Sequence, residues 1–123
     1  LKKAKVFFKK RQELAKLYNS LLEKHPRIHL IPHNYNHVVP HIFVVRIRNL
    51  DDRPALQDYL LKKGIETGIH YQPNHLLSFY KSGKKDEFKK AEIIYSEILS
   101  LPLHVDLTKR DVNYISDTLL ASL

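Results

Sequence analysis

The sequence contains no Cys, no Met and no Trp, and only three Gly in 123 residues. Without Cys there can be no disulfide, no thiolate metal site and no Cys nucleophile, a composition that suits a cytoplasmic protein. Gly64, Gly68 and Gly83 are isolated from one another, so no Gly-rich loop can cradle a phosphate or a dinucleotide. No Gly-x-Ser-x-Gly elbow occurs either, which removes the usual setting of a serine nucleophile. Also missing is any apolar run near the roughly 18 residues that a membrane-spanning helix needs. The opening residues Leu1-Lys2-Lys3-Ala4-Lys5 have no apolar core of a secretory signal and already fit a helical pattern. The expectation is a piece of a longer polypeptide with no membrane partner and no complete active site of its own.

What the sequence does have is enough apolar residue, 43%, for one compact core, and a formal net charge of +8. Such a charge fits a nucleic-acid partner, an anionic substrate or a solvated basic face. Much of the excess lies early, at Lys2, Lys3, Lys5, Lys9, Lys10, Arg11 and Lys16, interleaved with an apolar helical stripe, which favours the solvated face. Most of the 7 Tyr and 5 Phe fall on core stripes and not on an exposed stacking surface. A free-standing basic nucleic-acid-binding module is therefore the alternative reading, and no nucleic-acid partner is expected.

Residues 3–24 carry a helix built on Leu14, Leu17 and Leu21, widened by Phe7, Tyr18 and Leu22, and stopped by Pro26. Residues 28–31 suggest a short strand and 32–40 a loop. Residues 42–47 form the clearest strand, with Phe43, Val45 and Ile47 on one face. Asp51 or Asp52 caps the next helix, with Pro54 in its first turn, a stripe of Leu56, Tyr59 and Leu60, and Gly64 as its left-handed stop. Alternation predicts a strand over 65–71, ended by Pro73. One or two helical turns follow in 75–80, then a flexible loop at 82–85. A helix near 86–99 is expected to pack through Phe88, Ala91, Tyr95 and Ile98. Residues 101–103 read as a short extended piece, and Thr108 with Asp111 as a capping box opening a last helix on Val112, Ile115 and Leu119. The order implies an α+β domain: a small, mostly antiparallel sheet with helices packed on it. We divide it into a leading helix, 1–25, and an α+β body, 26–123.

Eight His is a high count, and His25, His29, His33, His37 and His41 recur at every fourth position. On a helix that spacing would align metal ligands, but Pro26, Pro32 and Pro40 break any such helix, so no metal site is expected. A different segment carries the candidate chemistry. After the predicted strand come His70-Tyr71-Gln72-Pro73-Asn74-His75, which concentrate donors and acceptors suited to a polar ligand. Gly68 inside the strand suggests a close approach to the backbone there. By their chemistry alone, His70, Tyr71, Asn74 and His75 fit a ligand site and a water-facing strand-end turn equally well.

At this segment the chain resembles the DegT/DnrJ/EryC1/StrS aminotransferases, which act on nucleotide-linked keto sugars. The likeness starts at His41-Ile42-Phe43-Val44-Val45-Arg46 and runs through the helix 53–63 into Gly64-Ile65-Glu66-Thr67. It continues in His70-Tyr71-Gln72-Pro73-Asn74-His75 with Tyr80, Ala91-Glu92, Ser100-Leu101-Pro102-Leu103-His104 and Leu107-Thr108. Each motif is short; their order and spacing make the match specific. Pro40 departs from it, standing where the family usually has an aromatic residue, so no role is carried over to His41. Residues 25–40 carry nothing diagnostic.

The resemblance implies a carboxyl-terminal small domain of a fold-type I, pyridoxal phosphate (PLP)-dependent enzyme. Its partners would be its own large domain, which carries the Schiff-base lysine and binds PLP, and the second subunit of a homodimer. The implied reaction moves an amino group from glutamate to the keto sugar, in amino-sugar and surface-polysaccharide biosynthesis. The small domain would close the cleft, with His70, Tyr71, Asn74 and His75 binding substrate and no catalytic residue of its own. Alone it would be inactive. Positive charge near the cleft is expected to favour a diphosphate-bearing substrate.

Overall fold

A computed structural model describes residues 2–80 and 88–123 of the chain. Helix α1 spans Lys2–Leu22, strand β1 Ile28–Leu30, strand β2 Phe43–Ile47 and helix α2 Arg53–Lys62. Two 3-10 turns, Asn74–Leu76 and Ser78–Tyr80, lead toward helix α3, Lys89–Glu97. Strand β3, Ile98–Leu101, follows directly, and helix α4, Lys109–Leu120, comes last. The strands form an antiparallel sheet in the order β1-β2-β3, which is the α+β class that the element order implies.

Registry decides which side chains share a face. Ile28 faces Ile47 and Leu30 faces Val45, while Phe43 pairs with Leu101 and Val45 with Leu99. These apolar residues line one face of the sheet, and α1 and α4 pack together over the same core. Leu14, Tyr18 and Leu22 recur every fourth residue along α1 and are all buried, with Ala15 beside them. Tyr18 stacks on Phe43 at 4.8 Å between ring centres and donates its hydroxyl to the Pro102 carbonyl at 2.9 Å. Burial, with the Asp111 carboxylate as a smaller contribution, pushes its phenol far above the ordinary value. Phe7, expected on the stripe, is 43% exposed, because the buried stripe begins only at Leu14.

Local chemistry explains the ends of α2 and α4. Asp52 is the N-cap of α2 and accepts from the Ala55 N–H at 2.8 Å. At the other end Gly64 takes φ +77°, its N–H reaches the Leu61 carbonyl, and the Ile65 N–H reaches Leu60. Those two bonds are a Schellman stop, and the apolar pair that accompanies it, Leu60 and Ile65, is buried. In α4 the Thr108 hydroxyl accepts from the Asp111 N–H while Asp111 accepts from the Thr108 N–H, a complete capping box. Hydrogen bonds from the Thr108 N–H and hydroxyl hold the Asp111 carboxyl below its ordinary range. Val112, Ile115 and Leu119 are buried as expected.

Two expectations fail, for related reasons. Residues 65–71 are not a strand; only Gly68 pairs, exchanging N–H···O bonds of 3.0 and 2.8 Å with Ser100. The next hydrogen-bonded pair of that ladder would match Glu66 with Pro102, which has no N–H to donate. The third strand is instead β3, part of which the helical pattern near 86–99 had absorbed. Helix α3 ends at Glu97, and Ile98 opens the strand. Of its expected packing residues, Phe88 is 42% exposed and Ala91 and Tyr95 are only half-buried. The buried member of α3 is Glu97, which accepts from Arg46 at 2.7 Å and from the Asn49 N–H at 3.0 Å. The loop expected at 82–85, and residues 86–87 of the expected helix, lie outside the described residues.

Candidate functional site

Alternation along the strands places Val44, Arg46 and Ser100 on the face of the sheet opposite the core. Ser100 is buried and held by its backbone, whose N–H and carbonyl both bond Gly68. Its hydroxyl lies 2.9 Å from Nδ1 of His70. The close approach anticipated at Gly68 is made by this same imidazole. A Cβ on residue 68 would stand 2.8 Å from Cε1 of His70, inside any permitted contact. Gly68, Ser100 and His70 therefore form one unit: the glycine leaves room for the ring and the serine holds it.

This unit borders a cavity of about 610 Å³, a volume in the range of small-molecule sites. His41 at the entry to β2, Thr67, His104 and Tyr114 line it too, over an apolar floor that includes Ile115. Arg11 of α1 secures the rim, donating to the carbonyls of His41 at 3.0 Å and Leu103 at 3.1 Å. Among the described residues that line the cavity there is no Lys and no Arg. The ionisable groups among those described residues are three His, Tyr114 and the carboxyls of Glu66 and Asp111, so none of them supplies the expected positive charge as a Lys or Arg. A Schiff base with PLP needs a lysine amine. The described residues that line this cavity do not fit that group.

The four predicted site residues do not all share this place. His70 lines the cavity. Tyr71 meets the His70 ring edge-on at 4.8 Å and is 69% exposed. Asn74 is exposed, and its carbonyl closes the first 3-10 turn by accepting from the Leu77 N–H. His75 turns toward α3, where Nε2 lies 3.0 Å from Glu92 and the ring stacks on Phe88 at 4.5 Å. Of the five His at every fourth position, His25 lies in the turn after α1, His29 in β1 and His33, His37 and His41 in the loop that follows, and only His41 reaches the cavity. Among the described residues no three His, Asp or Glu converge as metal ligands, and no helix is long and apolar enough to cross a membrane.

Sequence reasoning missed Ser100 and Arg11 as parts of the site. A signal for Ser100 existed: a lone hydroxyl between Leu99 and Leu101 in a short apolar run. None existed for Arg11, one cation among several on the same helix.

The sequence model of the DegT/DnrJ/EryC1/StrS aminotransferase family matches residues 1–120. The chain is 35% identical over 109 residues to the dTDP-3-amino-3,6-dideoxy-alpha-D-galactopyranose transaminase of Aneurinibacillus thermoaerophilus, covering 86% of the chain and 29% of that protein. It is 29% identical over 127 residues to the UDP-4-amino-4,6-dideoxy-N-acetyl-beta-L-altrosamine transaminase of Campylobacter jejuni, covering all of the chain and 34% of that protein. Among solved structures, Spr1654 of Streptococcus pneumoniae in its PMP form superposes with a TM-score of 0.83 at 28% identity, over 93% of the chain and 30% of its own. The same protein has been solved in a PLP form. The chain thus spans about a third of the length of the relatives it matches.

Proposed function

Since the chain belongs to the DegT/DnrJ/EryC1/StrS aminotransferase family, we propose that it is the carboxyl-terminal small domain of a PLP-dependent aminotransferase for nucleotide-linked keto sugars. In this reading it walls the substrate cleft and leaves the chemistry to a large domain that carries the Schiff-base lysine and PLP. The observation that carries the proposal is the cavity beside His70 and Ser100, whose described lining residues offer hydroxyl- and imidazole-based hydrogen bonding but include no lysine. Such a wall suits the neutral, hydroxyl-rich sugar better than the diphosphate, whose charge would be met elsewhere. Tyr71, exposed beside His70, would stand at the mouth of the cleft. Asn74 contacts substrate from the following turn, and His75 fixes that turn to α3 through Glu92.

Exposed apolar side chains support a domain that meets other protein surface. Val6, Phe7 and Phe8 on α1 and Phe79 in the second 3-10 turn all stand open to solvent. We read them as surfaces for the large domain and for the second subunit of a homodimer. Glutamate would serve as amino donor, and the amino sugars in the names of the relatives support a role in amino-sugar biosynthesis. No observation favours the nucleic-acid alternative.

The test uses the full-length protein, with the two nucleotide-linked amino sugars named for its relatives as reverse-direction amino donors. His70→Ala is expected to lower kcat/KM by about tenfold or more, as when a substrate hydrogen bond and its positioning are lost together. Unchanged kinetics would remove His70 from the site while leaving the family intact. The isolated chain, mixed with PLP and then freed of unbound cofactor by gel filtration, is expected to retain no PLP absorption band.

A further inference from the structure

Ser100 has a single hydrogen-bonding partner for its hydroxyl among the described residues, and that partner is the His70 ring. A neutral imidazole has one nitrogen that donates and one that accepts. A buried hydroxyl needs an acceptor for its own proton, and among the described residues Nδ1 of His70 at 2.9 Å is the acceptor it meets. The Ser100 O–H therefore donates to Nδ1, which leaves the His70 proton on Nε2. Nε2 makes no other hydrogen bond among the described residues, and the ring it belongs to lines the cavity. We infer that Ser100 and Gly68 are positioning residues that lock His70 in the Nε2–H tautomer, so that it meets the ligand as a hydrogen-bond donor to a hydroxyl, carbonyl or ring oxygen.

Three features make the lock rigid. Ser100 sits in β3 with its own N–H and carbonyl bonded to Gly68 while its neighbours Leu99 and Leu101 pair with Val45 and Phe43 of β2, so its hydroxyl cannot drift with a loop. Gly68 is the residue against which the imidazole lies, and any side chain there would displace the ring. Tyr71 closes the far side edge-on. A histidine free to change tautomer could accept from a substrate hydroxyl as readily as donate to it. A locked one discriminates, favouring a substrate with an oxygen acceptor at that point over one with only a donor, such as an ammonium group. This inference rests on the proposed substrate site and assigns it a preference.

Two arms on the full-length protein separate the inference from the reading beneath it. In the first, long-range proton–nitrogen correlation of ¹⁵N-histidine-labelled protein at alkaline pH identifies the His70 tautomer, with His70→Gln assigning the signal. The Nε2–H form is expected in the wild type, retained in Ser100→Thr, and replaced by a tautomer mixture in Ser100→Ala. Gly68→Ala, which moves the ring and leaves the serine in place, should also produce the mixture. An Nδ1–H wild type, or an unchanged tautomer in both Ser100→Ala and Gly68→Ala, overturns the inference. In the second arm, steady-state kinetics with the same two amino-sugar donors should show kcat/KM lowered about three- to tenfold by Ser100→Ala, the size of one hydrogen bond. That loss should be restored by Ser100→Thr and absent in a His70→Ala background. A locked tautomer with kinetics indifferent to His70→Ala would refute the substrate reading. Kinetics sensitive to His70→Ala but indifferent to Ser100→Ala would refute the lock.

Discussion

The two faces of one small sheet divide the labour of this chain. On one face Phe43, Val45, Ile47, Leu99 and Leu101 vanish beneath α1 and α4 in an apolar core. On the other, from alternate positions of the same strands, Arg46 pairs with Glu97 and Ser100 holds His70. Neighbours in sequence such as Leu99 and Ser100 thus serve stability and chemistry separately. A sheet side chain alternates with period two, so a strand of four residues can supply a core and a site at once. The faces differ in what a substitution should do to them.

The sharpest way to break that comparison is at the Leu99–Ser100 pair. Leu99→Ala, on the core face, removes fully buried methyl groups and should lower unfolding free energy by about 2–5 kcal/mol in chemical denaturation. Ser100→Ala, one residue on, should cost about 1 kcal/mol at most while carrying the kinetic and tautomer effects described above. If both changes lowered stability alike and left kinetics untouched, the division between faces would not hold.

Glu97 tests whether the second face has structural weight of its own. Burial opposes its ionisation, but the hydrogen bonds from Arg46 and the Asn49 N–H, together with the positive charges of Arg46 and Arg48, hold its carboxyl below the ordinary value. A lowered folded value means the carboxylate stabilises fully above the ordinary glutamate range and that this contribution is lost as pH falls through the folded value. Glu97→Gln should cost about 1–3 kcal/mol at neutral pH, and less on acidification below that range. A wild-type-minus-variant difference that grew as pH fell would contradict the sign.

A comparably small effect is expected on the core face. Tyr18→Phe removes only the hydroxyl that reaches the Pro102 carbonyl, and should cost about 1 kcal/mol. Since Pro102 lines the cavity next to Ser100, a concurrent change in KM would show that the core face reaches through the sheet to the site.

Much of this was legible in the residues. Helices α1, α2 and α4 announce themselves by local means: the stripe of Leu14, Leu17 and Leu21 widened by Tyr18 and Leu22, the Asp51 or Asp52 cap with its Gly64 stop, and the Thr108–Asp111 box. The His70–Tyr71 segment was legible as the candidate site by its concentration of donors. What misled was equally local. Ile98 continues the spacing of α3, so the start of β3 passed for helix, and the alternation of 65–71 passed for a strand although Pro102 denies it a ladder.

By itself, then, the sequence determined whatever depends on a few neighbouring residues: periodicity, caps, turns, the lack of thiols and glycine loops, and the order of motifs that marks the family. Only the tertiary structure decided what depends on residues far apart in the chain. It set Ser100 against His70, put a buried glutamate at the end of α3 against Arg46, and sent His75 away from the cavity toward Glu92. The physical reason is pairing register: which residues of β3 face Gly68 and β2 is settled by the whole packed sheet, and no window of sequence contains it.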